Sequence, residues 1–233
     1  MKTLIVGKGE IGTALGKVLA DYEPIFLDFQ LDLHLYAGDY VSKNPIDILH
    51  VCFEYSDNFI KSVKSYQKIF KPKYTVIHST VPIGISGKCK AIHSPVIGIH
   101  PHLESGVRTF VKFFGGKQAS EVADYFRRVG LKVYLFDKSE TTELMKIADT
   151  TFYGVCIEYT KEVKKLCEKY KVPFEAWTIW TENYNKGYKE LGYPEFTRPN
   201  LVPIDKKIGG HCVLPNARIL ESKFAKFIIE LNK

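Results

Sequence analysis

A glycine-rich turn between an apolar run and an amphipathic stretch is where chemistry is most directly readable in this sequence. Thr3, Leu4, Ile5 and Val6 lead into Gly7-Lys8-Gly9-Glu10-Ile11-Gly12, after which Ala14, Leu15, Val18 and Leu19 recur at helical spacing. In such a strand-turn-helix unit the first glycine permits the tight turn, the second lets the backbone approach a pyrophosphate, and the third lets helix pack closely on strand. Gly7, Gly9, Glu10, Ile11 and Gly12 therefore form a candidate seat for a dinucleotide, with the helix N-terminus facing its phosphates. Residues 24–27 (Pro-Ile-Phe-Leu) read as a second strand, and Asp28 stands at its end, where a carboxylate accepts hydrogen bonds from adenosine ribose hydroxyls. An acid at that place favours NAD over NADP. A structural glycine turn beside a surface aspartate is the plainer account, but position and order both match the dinucleotide fingerprint. His100 and His102, around Pro101, have the chemistry of an acid and a base; two histidines flanking a proline equally suit an exposed loop.

The elements needed to position these residues follow from periodicity. Further strands are expected at 47–53, 74–78, 109–114 and 132–136, with crossover helices at 57–70 and 119–129. Alternation of this kind implies a mainly parallel sheet. Residues 29–45 carry no clear pattern. From Ser139 onward Leu144, Ala148, Phe152, Val155, Tyr159, Val163 and Leu166 repeat every three or four positions, which predicts one long helix over 139–170. Pro173 opens another helix carrying Trp177 and Trp180, a loop is expected over 187–203, and a terminal helix over 216–231. The expected fold is thus α/β: a Rossmann-type domain over residues 1–138 followed by a smaller all-helical domain over 139–233.

Composition narrows the function classes. The 233 residues carry 33 Lys and Arg against 26 Asp and Glu, a formal charge of +7 that suits a small anionic ligand. The lysines are dispersed, and those at 161, 164, 165 and 169 alternate with glutamates as on a solvated helix face, which argues against a nucleic-acid surface. No run approaches the roughly 18 apolar residues of a membrane span, and the start has no signal-peptide character. The cysteines, Cys52, Cys89, Cys156, Cys167 and Cys212, are odd in number and scattered, so neither a disulfide framework nor a metal site is expected, and a cytoplasmic setting fits.

Three further segments bring a family into view: His78-Ser79-Thr80-Val81-Pro82-Ile83-Gly84, Glu143-Leu144-Met145-Lys146-Ile147-Ala148-Asp149, and Ile208-Gly209-Gly210-His211-Cys212-Val213-Leu214-Pro215. With the glycine fingerprint, and in this order, the chain resembles the UDP-glucose/GDP-mannose dehydrogenase family, especially its UDP-N-acetylmannosamine dehydrogenase branch, within the 6-phosphogluconate dehydrogenase-like superfamily. The resemblance implies NAD-dependent oxidation of a sugar-nucleotide alcohol in two steps. It assigns Cys212 as the covalent nucleophile, Lys146 as the lysine that polarises the reacting oxygen, and Thr80 as the threonine beside the nicotinamide. Glu104 is its only match to the glutamates that follow a proline in the family. Lys146 also matches the catalytic lysine of β-hydroxyacid dehydrogenases.

Departures from the pattern point to alternatives. Thr150 replaces the family asparagine and Asn216 replaces the aspartate four residues after the cysteine, which removes a carboxylate from the proton-handling apparatus. The family's third, nucleotide-holding domain has only a terminal helix in its place here, so a smaller substrate or a partner polypeptide is expected. Two rivals follow: a one-step β-hydroxyacid-type dehydrogenase using Lys146 alone, and a catalytically reduced NAD-binding sensor or partner subunit. The apolar stripe of the long helix predicts a homodimer.

Overall fold

The computed structural model describes residues 1–28, 45–210 and 212–233. The unpatterned stretch at 29–44 and His211 of the GGHC segment lie outside these described residues. The chain forms two compact units, Met1–Lys146 and Ile147–Lys233. The expected division after residue 138 follows the last strand, whereas the units divide inside the long helix. Thr142 and Glu143, in the second turn of that helix, bond to residues of the first unit, which explains why its start is held there.

The described residues of the first unit form a seven-stranded sheet in the order β2-β1-β3-β4-β5-β6-β7. Its strands are β1 (Thr3–Val6), β2 (Ile25–Leu27), β3 (Ile48–Val51), β4 (Tyr74–Ile77), β5 (Ile92–His93), β6 (Lys112–Gly115) and β7 (Val133–Phe136). The first five run parallel, and β6 and β7 run together antiparallel to them. β1, β3 and β4 are buried at every position, which is why they read as continuous apolar runs and not as alternating ones. Among the described residues the helices of this unit are α1 (Glu10–Val18), α2 (Phe59–Phe70), α3 (Ile85–Lys88), α4 (Leu103–Thr109), α5 (Ala119–Arg128) and the beginning of α6 (Ser139–Tyr170). α2 buries Phe59, Val63, Tyr66 and Phe70, one stripe at helical spacing, in a core with Leu4, Val6, Leu49 and Ile77. α1 and α5 enter a second core with Ile5, Ile48, Val76 and Phe114.

The second unit contains the rest of α6, then α7 (Glu175–Glu190), α8 (Val213–Ile219) and α9 (Lys223–Leu231). Its core is small: Ile208, Val213, Ala217, Ala225 and Ile228, with Val155 and Leu214 against them. Gly154 makes this packing close, since a Cβ there would stand 2.6 Å from Val213 Cγ1. Two expectations are corrected here. The single terminal helix expected over 216–231 is two helices, because Ser222 is extended and its hydroxyl accepts the Ala225 N–H, starting a new helix in place of continuing the old one. The loop expected from 187 begins only after Glu190, Gly187 being carried inside α7.

Candidate active site

The three glycines of the β1–α1 turn differ in what holds them there. Gly7 has φ +95°, and a Cβ on it would come within 2.9 Å of the Cys52 and Phe53 backbone at the end of β3. Its N–H donates to the Leu27 carbonyl at 3.0 Å, tying the turn to β2. Gly12 would place a Cβ 1.9 Å from the Gly7 carbonyl oxygen. Gly9 is different: its φ of −71° is ordinary, and a Cβ there meets nothing within 4 Å. Neither strain nor internal packing demands glycine at this position.

What Gly9 leaves open is the space above the first turn of α1. Gly9 is the N-cap residue and supplies no side-chain cap, so the N–H groups of that turn point outward at the positive end of the helix dipole. A pyrophosphate fits this arrangement in both charge and size. Ile11 packs partly into the core below the turn, while the carboxylate of Glu10 meets His100 Nδ1 from the loop before α4. Asp28 follows β2 directly and is exposed, one position beyond the Val6–Leu27 register pair.

The turn after β4 is the second part of the site. Ser79 donates its hydroxyl to the Phe53 carbonyl at 2.5 Å, and Thr80 follows, half-buried. Glu143 on α6, fully buried, accepts the Gly84 N–H at 2.5 Å and the Ser86 N–H at 2.8 Å. Lys146, half-buried, lies one turn further along the same helix. Its charge is felt by His93 and Lys112, whose pKa values it helps to lower after the larger effect of burial. Glu104 also belongs to the first unit. It sits on α4, 3.7 Å from Lys17 Nζ and 3.2 Å from Arg108 Nε, where it fastens α4 to α1.

Sequence reasoning missed a buried polar cluster beside this turn. Lys112, 3% exposed, donates from Nζ to the Ser94 carbonyl at 2.6 Å and the Pro95 carbonyl at 2.9 Å, and lies 3.3 Å from His78 Nδ1. His78 Nε2 is 3.0 Å from His50 Nδ1. His93 reaches Thr142 Oγ1 at 2.8 Å and the Ser79 carbonyl at 3.2 Å. Desolvation, helped by the Lys112 charge, holds His50 down to about 3; desolvation chiefly also brings His93 to about 3 and Lys112 to about 7. Cys52, buried in the same region, is pushed up to about 12 by burial. The available signal was a histidine inside the otherwise apolar run Ile48-Leu49-His50-Val51.

Cys212 and Asn216 belong to the second unit. Cys212, half-buried and in no disulfide, stands at the N-cap of α8, and its carbonyl accepts the Asn216 N–H at 3.1 Å. Asn216 itself is buried, as is Thr150 on α6. The first unit therefore holds Gly7, Gly9, Glu10, Ile11, Gly12, Asp28, Thr80, Glu104 and Lys146, and the second holds Cys212 and Asn216. Among the described residues no group of three or more His, Cys, Asp or Glu side chains is arranged to hold a metal ion, and no helix is long and apolar enough to cross a membrane.

No protein-family model matches the sequence, and no curated protein matches it. Solved structures do. The UDP-D-ManNAc dehydrogenase from Pyrococcus horikoshii superposes with a TM-score of 0.77 at 14% identity, covering 100% of this chain and 68% of that one. The UDP-glucose dehydrogenase from Pyrobaculum islandicum gives a TM-score of 0.74 at 15% identity, over 100% and 68% of the two chains. The 3-hydroxyisobutyrate dehydrogenase of Mycobacterium tuberculosis gives 0.66 at 11% identity and covers 100% of this chain and 93% of that one. At such identities the likeness is one of fold, and this chain has the fold of these dehydrogenases over its whole length.

Proposed function

We propose that this protein is an NAD-dependent dehydrogenase acting on a CH–OH group of an anionic substrate, of which a sugar nucleotide is the leading class. The observation that carries the reading is Gly9, whose missing side chain serves nothing within the protein and leaves room for a pyrophosphate at the start of α1. The likeness in fold to sugar-nucleotide and hydroxyacid dehydrogenases supports it.

Bound nicotinamide supplies the hydride acceptor. The main-chain N–H groups from Glu10 to Gly12 hold the pyrophosphate, and Asp28 accepts hydrogen bonds from the adenosine ribose, a carboxylate that repels the 2′-phosphate of NADP. Lys146 polarises the reacting oxygen and steadies the negative charge that develops there, and Thr80 orients the reacting groups. If a second oxidation follows, Cys212 attacks the aldehyde as thiolate. Asn216 cannot accept the proton that an aspartate at its place would, so this second step is expected to be slow.

A second reading is favoured by that asparagine and by the 93% coverage of 3-hydroxyisobutyrate dehydrogenase: a one-step oxidation using Lys146, with Cys212 structural. Counting NADH at 340 nm against a panel of UDP-sugars, GDP-mannose, phosphorylated acids and hydroxyacids separates them. Two NADH per sugar nucleotide, reduced to one or none in Cys212→Ser, establishes the covalent route. One NADH from a hydroxyacid, unchanged in Cys212→Ser, establishes the shorter one. NAD binding without turnover on any of them would leave a sensor or partner subunit and sink both.

The second unit also supports a homodimer. Phe152, Tyr159, Leu166 and Tyr170 form a stripe along α6 that is 42–67% exposed, more apolar surface than a small helical unit ordinarily leaves in water. Light scattering is expected to give twice the mass of the 26.6 kDa chain, and Tyr159→Glu to shift it to the monomer. A monomeric wild-type protein at micromolar concentration would refute this.

A further inference from the structure

We infer that Glu143 is a positioning residue, which holds the Thr80–Gly84 turn and the Lys146 segment of α6 in one geometry. The inference rests on the dehydrogenase reading above, since it concerns the residues that would face the reacting carbon. Glu143 is fully buried, and its two oxygens accept one main-chain N–H each, from Gly84 and Ser86. Both donors stand at the head of α3, immediately after Thr80-Val81-Pro82-Ile83, and Gly84 needs its glycine because φ is +88°. A carboxylate placed so grips backbone, and backbone position is what fixes where the Thr80 hydroxyl lies.

The same turn of α6 is fixed from another side. Thr142 Oγ1 is 2.8 Å from His93 Nδ1 and also donates to the Ser139 carbonyl at 2.9 Å. Gly115 brings the strand end close enough for this, because a Cβ on it would come within 2.5 Å of the Lys138 carbonyl and 2.8 Å of Thr142 Oγ1. Two neighbouring side chains, Thr142 and Glu143, thus tie the helix turn ahead of Lys146 to β5 and to the turn after β4. Lys146 stands three residues beyond Glu143, on an adjacent helix face. Loosening the Glu143 grip by a fraction of an ångström changes the distance between Thr80 and Lys146 without touching the glycine turn of β1–α1.

The test uses the full chain with Glu143→Gln, which keeps the shape but sets an NH2 group against a main-chain donor, and Glu143→Asp, which keeps the charge on a shorter arm. Three quantities are read: NADH affinity by fluorescence, the position and titration of the Lys146 resonance after 13C reductive methylation (assigned with Lys146→Arg), and turnover on any substrate found. In Glu143→Gln the Lys146 resonance is expected to move and broaden, kcat to fall on the order of 10²-fold, and NADH affinity and KM for NAD to stay within about two-fold. Glu143→Asp is expected to lie between it and the wild type, and serves if Glu143→Gln does not fold. An unchanged Lys146 resonance with lowered thermal stability in either variant overturns the inference and makes Glu143 a purely structural bond. Absence of wild-type turnover would overturn the dehydrogenase reading, and the Lys146 resonance would still decide whether Glu143 positions it.

Discussion

Gly9→Val is expected to lower NAD affinity on the order of 10²-fold or more while moving the melting temperature by less than about 3 °C. The fold tolerates the change because a Cβ at Gly9 meets nothing within 4 Å and its backbone angles suit any residue. Binding does not tolerate it, because the branched side chain occupies the approach to the first-turn N–H groups of α1. Losing two hydrogen bonds to a charged phosphate, at roughly 1.5–3 kcal/mol each, gives a factor of that order. The melting change is small because one kcal/mol moves a domain of this size by only about 2–4 °C. Gly12→Ala is expected to behave in the opposite way. Its Cβ would stand 1.9 Å from the Gly7 carbonyl, so the turn itself must shift, and stability and binding fall together. Calorimetric titration with NAD beside a thermal melt checks both, and a Gly9→Val protein that binds NAD as the wild type does would remove the observation on which the proposed function stands.

Much of this turn is legible in the sequence itself. The glycine turn was legible because all three of its glycines, and the acid after the next strand, answer to geometry within about 20 residues of chain. β1, β3 and β4 were legible because strands buried on both faces are plain apolar runs, and α6 because its apolar period persists over 32 residues. Short elements were lost. β5 has two residues, one of them a histidine, and α3 has four, too few for any period to register. The break between α8 and α9 depends on one capping hydroxyl, Ser222, in an otherwise continuous amphipathic stretch.

The site was legible only where its residues act locally. Nothing in the sequence around Glu143 or Lys112 marks either as buried, since glutamate and lysine are nearly always exposed unless paired. Their partners are main-chain groups at Gly84, Ser86, Ser94 and Pro95, between 17 and 59 residues away in sequence. No local pattern announces a partner that is backbone. Glu104, which the resemblance singled out by its place after a proline, pairs with Lys17 on α1 and with Arg108 on its own helix, and the pairing with Lys17 is not announced by local sequence.

The buried cluster makes the protein acid-sensitive, with its stability expected to fall steeply as the pH drops below about 6. His50 and His93 are held neutral inside the first unit, at about 3 instead of 6.5, and His78 is lowered as well, because burial disfavours the cation and Lys112 stands against it. In the unfolded chain these rings take up protons near pH 6.5, so between there and pH 3 the unfolded state binds more protons than the folded one. The stability these histidines contribute is therefore complete above about pH 6.5 and is lost as the pH falls. Each such group contributes about 1.4 kcal/mol per pH unit, so the two strongest together give a slope of about 3 kcal/mol per unit, against a total stability on the order of 5–15 kcal/mol. Lys112 extends the rise to higher pH by the same logic. Lowered from 10.5 to about 7, it makes stability increase further from about pH 7 towards 10, where the unfolded chain keeps a proton that the buried amine gives up. Urea unfolding measured at half-unit steps from pH 4.5 to 9 tests both limbs. The lower limb should be steep in the wild type, and Lys112→Met should flatten the upper one, because its side chain has no proton to lose. A free energy that stays level from pH 6.5 to 4.5 would mean that these histidines are charged in the folded protein, and the neutral pairing of His50 with His78 beneath the Lys112 ammonium would have to be abandoned.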